Sequence, residues 1–568
     1  MFVRVTSTPK SPRKSVKVVA SFREGYKVKQ KMIFHVGIAN TEEEIEKLKK
    51  LGYEYIARAK KEHEKNSGQT NLFSEQSLED VANLIEKYAK ENATKKGRKS
   101  RVSLEKIIPT SEVNIDQIIE TKRVVEGIDE ICGKVYDDLG YNNILKKNKD
   151  KSLLKDLVLS RIAVPASKNK TQKILLKQFN KEYDLDRIYR LLDKLHPNIG
   201  NIKKITFNGT LSLVPEKVDV LLFDVTTLYF ESENNDELRE FGYSKDHRFN
   251  TTQVVLALAT NRDGLPIGYE LFKGNKAEVG TLCESINSWR QHFDIGSVCF
   301  VGDRAMMSRK NVQLLENLGH NYIIAAKLRS MPISLKKQIL DGKNYKATQF
   351  GDELGWIGEF DYESKRLIVS YKKTRAQHDA EQRQKIIDKL KKSLGAVGKT
   401  KKLITNHGVR KYTTTTSDSE TIIDNDKIAR DSEMDGLHGV ITNIKEESVF
   451  SILAHYSRLW VIEESFRINK HSLSMRPIYH FKKERIESHI ALCYMAFATL
   501  RHLQYKISIT TKISPEQIIE ELFDVQASIY IHKETGNKYR IPGHFSHAAS
   551  KIYKSLNIIR KLDAVPYN

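Results

Sequence analysis

KVDVLLFDVTTLYF, residues 217–230, decides the fold. Four apolar residues at 220–223 run into Asp224, the pattern of a buried central strand reaching its solvent-facing end. A carboxylate there is costly unless it binds something. Beyond it come NTTQVVLALAT (250–260), the turn NRDG (261–264) and LPIGYELF (265–272), a three-stranded meander. A helix over 277–292, an apolar strand over 297–302, a helix over 308–318 and a strand over 322–326 complete a βββαβαβ order, the order of an α/β core. The fourth strand belongs to SVCFVGDRAMMS (297–308), so Asp303 again follows an apolar strand directly. Two adjacent parallel strands would bring Asp224 and Asp303 together. Each taken alone also reads as a strand-end acid capping the next element.

On either side of this core the pattern changes. Residues 1–31 carry nine basic residues and one acid, and β-like runs over 16–22 and 26–36 suggest a small basic hairpin. Thr41, followed by Glu42, Glu43 and Glu44, opens a helix. KKGRKSR at 95–101 reads either as a solvated linker or as an arm touching phosphates. From 114 to about 195 the pattern is helical throughout. After 328 the rhythm breaks into short strands such as GWIGEF (355–360) and RLIVSY (366–371), with a basic helix over 376–394. Eleven basic residues against three acids over 372–402 suit a solvated face or a DNA contact. Helical pattern resumes at 447 and runs past Lys470, followed by a helix over 483–504. The end holds a helix from 514, a hairpin around GNKY (536–539) and a helix over 547–560. The expected organisation is a basic hairpin with linker helices (1–110), an α-helical unit (111–215), an α/β core (216–328 and 449–510), a β-rich insertion (329–448) and a C-terminal α/β segment (511–568).

Composition narrows the function. With 568 residues, the chain exceeds a single hydrophobic core. Its 39% hydrophobic and 29% charged content, 12 Pro and 29 Gly exclude collagen-like, disulfide-scaffold and wholly disordered classes. A net charge of +23 calls for a polyanionic partner. An anionic membrane is the rival, but the longest strongly apolar stretch, 490–500, is shorter than the roughly 20 residues of a membrane-spanning helix. Without a secretory signal the expected location is the cytoplasm, at the nucleoid. Four cysteines lie far apart, with no CxxC pair to suggest zinc.

A third acid stands in HYSRLWVIEESFRINK (455–470). At about 100° per residue, Tyr456, Trp460, Glu463, Arg467 and Lys470 fall on one face of a regular helix, whereas Glu464 points away from Glu463. Aromatic rings, a carboxylate and two cations do not make a core stripe. Three carboxylates on a basic protein suit phosphodiester chemistry: oxygen ligands hold a pair of magnesium ions, and Arg467 and Lys470 hold the phosphate. Trp460 either stacks on an unpaired base or packs in the core, and Tyr456 on the same face is a further candidate for contact with DNA.

These stretches together resemble the DDE transposases of bacterial and archaeal insertion sequences, in the group with a Y-x2-R-x3-E-x6-K signature. Tyr456, Glu463 and Lys470 hold three of the four signature positions, while Leu459 stands at the arginine position beside Arg458. GYSKDHRFNTTQ (242–253), GLPIGYELFKGN (264–275), GDRAMMS (302–308), SMRPIYHF (474–481) and SRIAVPASK (160–168) extend the likeness. The resemblance implies a ribonuclease H-like core interrupted by a β-rich insertion. It also implies Asp224, Asp303 and Glu463 as ligands of two Mg2+ ions, replaceable by Mn2+. The partners implied are double-stranded DNA, both element ends and target, and a second copy of the chain in a paired-end dimer. Lys245, His247, Arg248 and Arg304 lie where they could touch DNA, although a polar hairpin loop accounts for the first three equally well. The alternatives are a ribonuclease H-like nuclease without strand transfer and a non-catalytic DNA-binding descendant. Carbohydrate hydrolysis by a carboxylate pair gains nothing from the basic excess.

Overall fold

The computed structural model describes residues 1–7, 14–24, 27–39, 41–67, 115–214, 219–231, 235–242, 251–292, 298–303, 308–394, 411–415, 421–509 and 512–567. They divide into two compact units, Met1–Ile115 and Asp116–Asn568.

In the first unit β1 (Phe2–Ser7), β2 (Lys14–Glu24) and β3 (Lys27–Ala39) form an antiparallel sheet in sequence order. The expected hairpin is thus a meander, because Phe2–Ser7 pairs along β2 from Val19 to Lys14. Val16 and Val18 alternate inward, where the Glu42–Ser67 helix covers them with Ile45, Leu48, Ile56 and Ala59. That helix starts at a reciprocal cap: Glu44 N donates to Thr41 Oγ1, and Thr41 N to Glu44 Oε2, both at 3.3 Å.

The second unit opens with β4 (Ile118–Val125). This strand replaces the start of the expected all-helical stretch. Its β-branched run IIETKRVV is held by pairing with Gln526–His532, some four hundred residues away, which no local periodicity signals.

The central sheet contains β5 (Val220–Tyr229), β6 (Gln253–Asn261), β7 (Pro266–Lys273), β8 (Cys299–Gly302), β9 (Asn321–Ala325), β10 (Lys346–Phe350), β11 (Glu353–Tyr362), β12 (Lys365–Lys372) and, after a hairpin of β13 (Thr413–Thr415) and β14 (Thr421–Ile423), β15 (Leu437–Thr442). Its spatial order is β10-β11-β12-β15-β9-β8-β5-β6-β7. Pairs β5/β8 and β8/β9 are parallel and the rest antiparallel. Strands from the 329–448 stretch therefore extend the core sheet, β15 pairing on β9 with Val440 opposite Ala325. The C-terminal β16 (Gln526–His532), β17 (Lys538–Pro542) and β18 (Val565–Tyr567) join β4 in a separate four-stranded sheet.

Alternation along β5 divides the interior. Leu221, Phe223 and Val225 face one core with Trp289 of the Glu278–His292 helix. Val220, Leu222, Leu228 and Phe230 face the other, which holds Val461, Ile462 and Phe466 and the Lys483–Ser508 helix. That helix is buried along 488–503, its middle from Ile490 to Ala498 wholly apolar, because helices Asn148–Ala163, Leu185–Leu195 and Ile199–Leu213 pack around it. No helix among the described residues is long and apolar enough to cross a membrane.

The expected continuous helix through Lys470 is in three pieces: Val449–Ser457, Trp460–Arg467 and a π-turn at Ile468–Ser472. At the junction Leu459 N reaches Tyr456 O (3.0 Å) and Val461 N reaches Arg458 O (2.9 Å), a tighter three-residue repeat.

Candidate active site

Asp224 interrupts an apolar alternation. It lies between Leu222 and Leu228 on the β5 face covered by the Trp460–Arg467 helix. The residue is half-buried, and Oδ1 accepts a hydrogen bond from Val225 N at 2.7 Å. Phe223 is in register with Gly302 across the parallel β5/β8 pair. Asp224 and Asp303 each come next, so the two acids stand at one level on strands about 4.8 Å apart. Asp303 follows β8, whereas Asp224 lies inside β5, which pairs on with β6 as far as Tyr229 and does not end at the acid as its apolar run suggested. Asp303 is exposed and borders a cleft of about 810 Å³ that is also lined by Ser308, Arg309, Ile324, Lys327 and Tyr362.

The Trp460–Arg467 helix packs across β5 and β6 through Val461, Ile462 and Phe466. Its outward residues are Trp460, 58% exposed, together with Glu463 and Arg467. Core packing is therefore not the role of Trp460. The adjacent glutamates have separate environments. Glu464 Oε2 accepts from Arg501 at 3.2 Å, and Glu464 Oε1 lies 3.6 Å from Arg467. The Glu463 carboxylate is exposed, with no hydrogen-bond or ion-pair partner among the described residues.

Tyr456 stands before the tightened turn, which rotates it about 20° per residue relative to a regular helix. Its ring rests on His438 of β15, centroids 5.0 Å apart. Burial, with Arg375 and Lys372 nearby, pushes the His438 imidazole down to about 4, so Tyr456 meets a neutral ring at neutral pH. Lys470 lies in the π-turn. The single aromatic, acidic and cationic face expected from a regular helix therefore reduces to Trp460, Glu463 and Arg467. Leu459 packs against the core, and Arg458 reaches away to Arg262 O (3.2 Å) and Asp263 Oδ1 (3.3 Å).

Lys245, His247, Arg248 and Arg304 lie outside the described residues. Among the described residues no three His, Cys, Asp or Glu side chains stand close enough to ligate one ion. The structure brings Asp224 and Asp303 to one level and lays the Glu463 helix over β5; it does not gather the three into a closed cluster. The donor chemistry nevertheless fits a hard cation, with carboxylate oxygens and neither thiolate nor imidazole.

Two family models match the sequence: the transposase DDE domain over residues 216–498 and the IS1634 family transposase N-terminal domain over residues 2–70. The chain belongs to the DDE transposases of insertion sequences. It is a DNA-binding enzyme of a class that cleaves DNA and transfers strands, and the family generally uses divalent metal ions. A search of curated proteins gave no match. Among solved structures, the transposase matches a cryo-EM structure of piggyBac transposase in a synaptic complex with hairpin DNA. The TM-score is 0.35 and the identity 9%, over 70% of this chain and 77% of that one, too distant to bear on fold or site.

Two cations beside Asp303 escaped the sequence reading. Lys327, two residues after β9, and Arg309, in the first turn of the Arg309–Asn317 helix, both line the cleft. The strand-end logic that singled out Asp224 and Asp303 would have found Lys327 had it been applied to cations as well as acids.

Proposed function

We propose that this transposase binds the terminal inverted repeats of its own insertion sequence and cuts and joins DNA at Asp224, Asp303 and Glu463. The register of Phe223 on Gly302 carries the reading, since it sets two aspartates side by side on neighbouring parallel strands, Asp224 within β5 and Asp303 just past β8, with the helix whose free carboxylate is Glu463 packed on β5. The order β7-β6-β5-β8-β9, three antiparallel strands followed by two parallel ones, supports a ribonuclease H-like core.

The three carboxylates would hold two Mg2+ ions, with Mn2+ able to replace them. When bound, such ions lower the pKa of an attacking water or 3′ hydroxyl and stabilise the leaving oxygen. The chain's own residues do the remaining work. Arg467, on the same helix turn as Glu463 and Glu464, draws the phosphate toward the carboxylates, with Lys470 behind it. The exposed Trp460 ring stacks on a base beside the cut. Lys245, Arg248 and Arg304 hold flanking DNA, and Tyr456 sets the angle of the helix through His438. The basic N-terminal unit and the helices of 126–213 read the ends, in a homodimer acting on paired ends.

The test is incubation with linear DNA carrying the sequence that flanks the gene, with magnesium or with chelator. Cleavage at matched inverted repeats and joined products are expected. Nicks without joining would leave only a nuclease.

A further inference from the structure

Residues 476–481, RPIYHF, alternate between core and water. Ile478 and His480 are buried, whereas Tyr479 is 58% and Phe481 67% exposed. The inward residues pin the segment. Ile478 N donates to Tyr229 O at 3.3 Å, and Phe230 and Ile478 form a parallel bridge, so the segment extends the end of β5. The His480 ring packs edge-on to Tyr189 at 6.1 Å and tilts against His489 at 5.2 Å. Two large apolar rings are thereby held in solvent on backbone tied to the strand that carries Asp224, an arrangement that marks a contact surface. Tyr229 lies five residues beyond Asp224, about 17 Å at the rise of a strand, or about five 3.4 Å steps of a DNA strand.

Cations are interleaved with these rings. The Arg239 guanidinium sits between Phe230 (5.5 Å) and Phe481 (5.6 Å), anchored by Asp236 at 2.6 Å. Its Nη1 is buried without a hydrogen-bond partner among the described residues. Arg476 lies over the Tyr229 ring at 5.2 Å, and Lys482 and Lys483 follow Phe481 directly. Arg239 is buried and paired with Asp236, so it backs the rings, while the exposed Lys482 and Lys483, the latter 3.8 Å from Glu237, stand where a DNA backbone would pass. Exposed rings that stack on any base, beside such lysines, are the composition of a surface for unpaired nucleic acid. The charge argues for that occupant over an apolar protein face.

We propose that Tyr479 and Phe481 form a stacking platform for unpaired bases of the DNA strand that leaves the active site, with Arg239 backing the Phe481 ring. The proposal rests on the reading of Asp224 as a catalytic residue. Its test is binding in chelator, so it stays separate from any failure of cleavage. The full-length protein is titrated with two DNAs, a fully paired duplex and the same duplex ending in an unpaired fork that carries 2-aminopurine. The wild type is expected to favour the fork by about tenfold, within the range of one stacked base, and to quench the 2-aminopurine. Tyr479→Ala with Phe481→Ala should lose both effects while paired-duplex affinity holds, and Phe481→Trp should keep the quenching. Both rings are exposed, so melting temperatures should match. Unchanged fork preference and quenching in the double variant, or an equal loss on both DNAs, overturns the platform.

Discussion

Glu464 Oε2 is 3.2 Å from Arg501 Nη1, and the same guanidinium donates to Asp263 O and Gly264 O at 3.0 Å. Arg501 thus clamps the Glu463–Glu464 turn to the β6/β7 hairpin, giving one glutamate a structural task and leaving its neighbour free. Glu464→Gln should lower stability by about 1–3 kcal/mol, because a buried guanidinium loses its ionic partner, while cleavage by the folded protein persists. Glu463→Gln should leave the melting temperature unchanged and abolish cleavage. Thermal melts paired with cleavage assays separate the two.

The same clamp explains Gly264. Its φ is +79°, and a Cβ there would lie 1.8 Å from Arg501 Nη2. Gly264→Ala should cost about 2 kcal/mol or more through backbone strain and a displaced guanidinium. A melt within a degree of wild type would show that Arg501 moves aside freely.

Arg458 and Arg467 should behave differently. Arg458 is engaged at Arg262 O and Asp263, so Arg458→Ala should leave DNA affinity within about twofold and stability within about 1 kcal/mol. Arg467→Ala, on the exposed face with Glu463, should weaken binding and flatten its salt dependence by about one phosphate contact. Titrations at several salt concentrations give both slopes.

Acid should weaken the fold before the carboxylates are reached. Burial pushes His480 and His502 down to about 3 and His438 to about 4, with Lys168, Lys506 and Arg375 the next causes in turn. The unfolded chain protonates these rings near 6.5, so it binds more protons than the native state between that pH and the folded values. Their contribution is complete above about pH 6.5 and is lost as pH falls toward about 4 for His438 and about 3 for His480 and His502. The melting temperature should drop between pH 7 and pH 5, and His502→Gln, though less stable at pH 7, should show a smaller drop. An equal drop in the variant would remove His502 from the explanation.

The core was legible because its signals are local. Apolar runs ending in Asp224 and Asp303, and the order of strands and helices between them, are properties of contiguous residues. Helical spacing also separates Glu463 from Glu464, since that turn is regular. What the sequence did not show depends on distant partners. β4 is a strand because β16 pairs with it, and nothing local reveals that β15 docks on β9 and so joins the strands after 328 to the core sheet. The break at 458–459 follows from the junction of the two helices, where Arg458 is drawn to Asp263 and Leu459 to the core; a wheel drawn at constant angle misses it. The exposure of Tyr479 and Phe481 shows only once Ile478 is seen bound to the end of β5.

The central claim is that Asp224, Asp303 and Glu463 hold the metal. Fe2+ substituted for Mg2+ on the DNA-bound protein, with ascorbate and peroxide, cuts backbone beside its own site. The account predicts fragments ending near residues 224, 303 and 463, lost with excess Mg2+ and in Asp224→Asn. Cuts clustered elsewhere, or unchanged in Asp224→Asn, would contradict it.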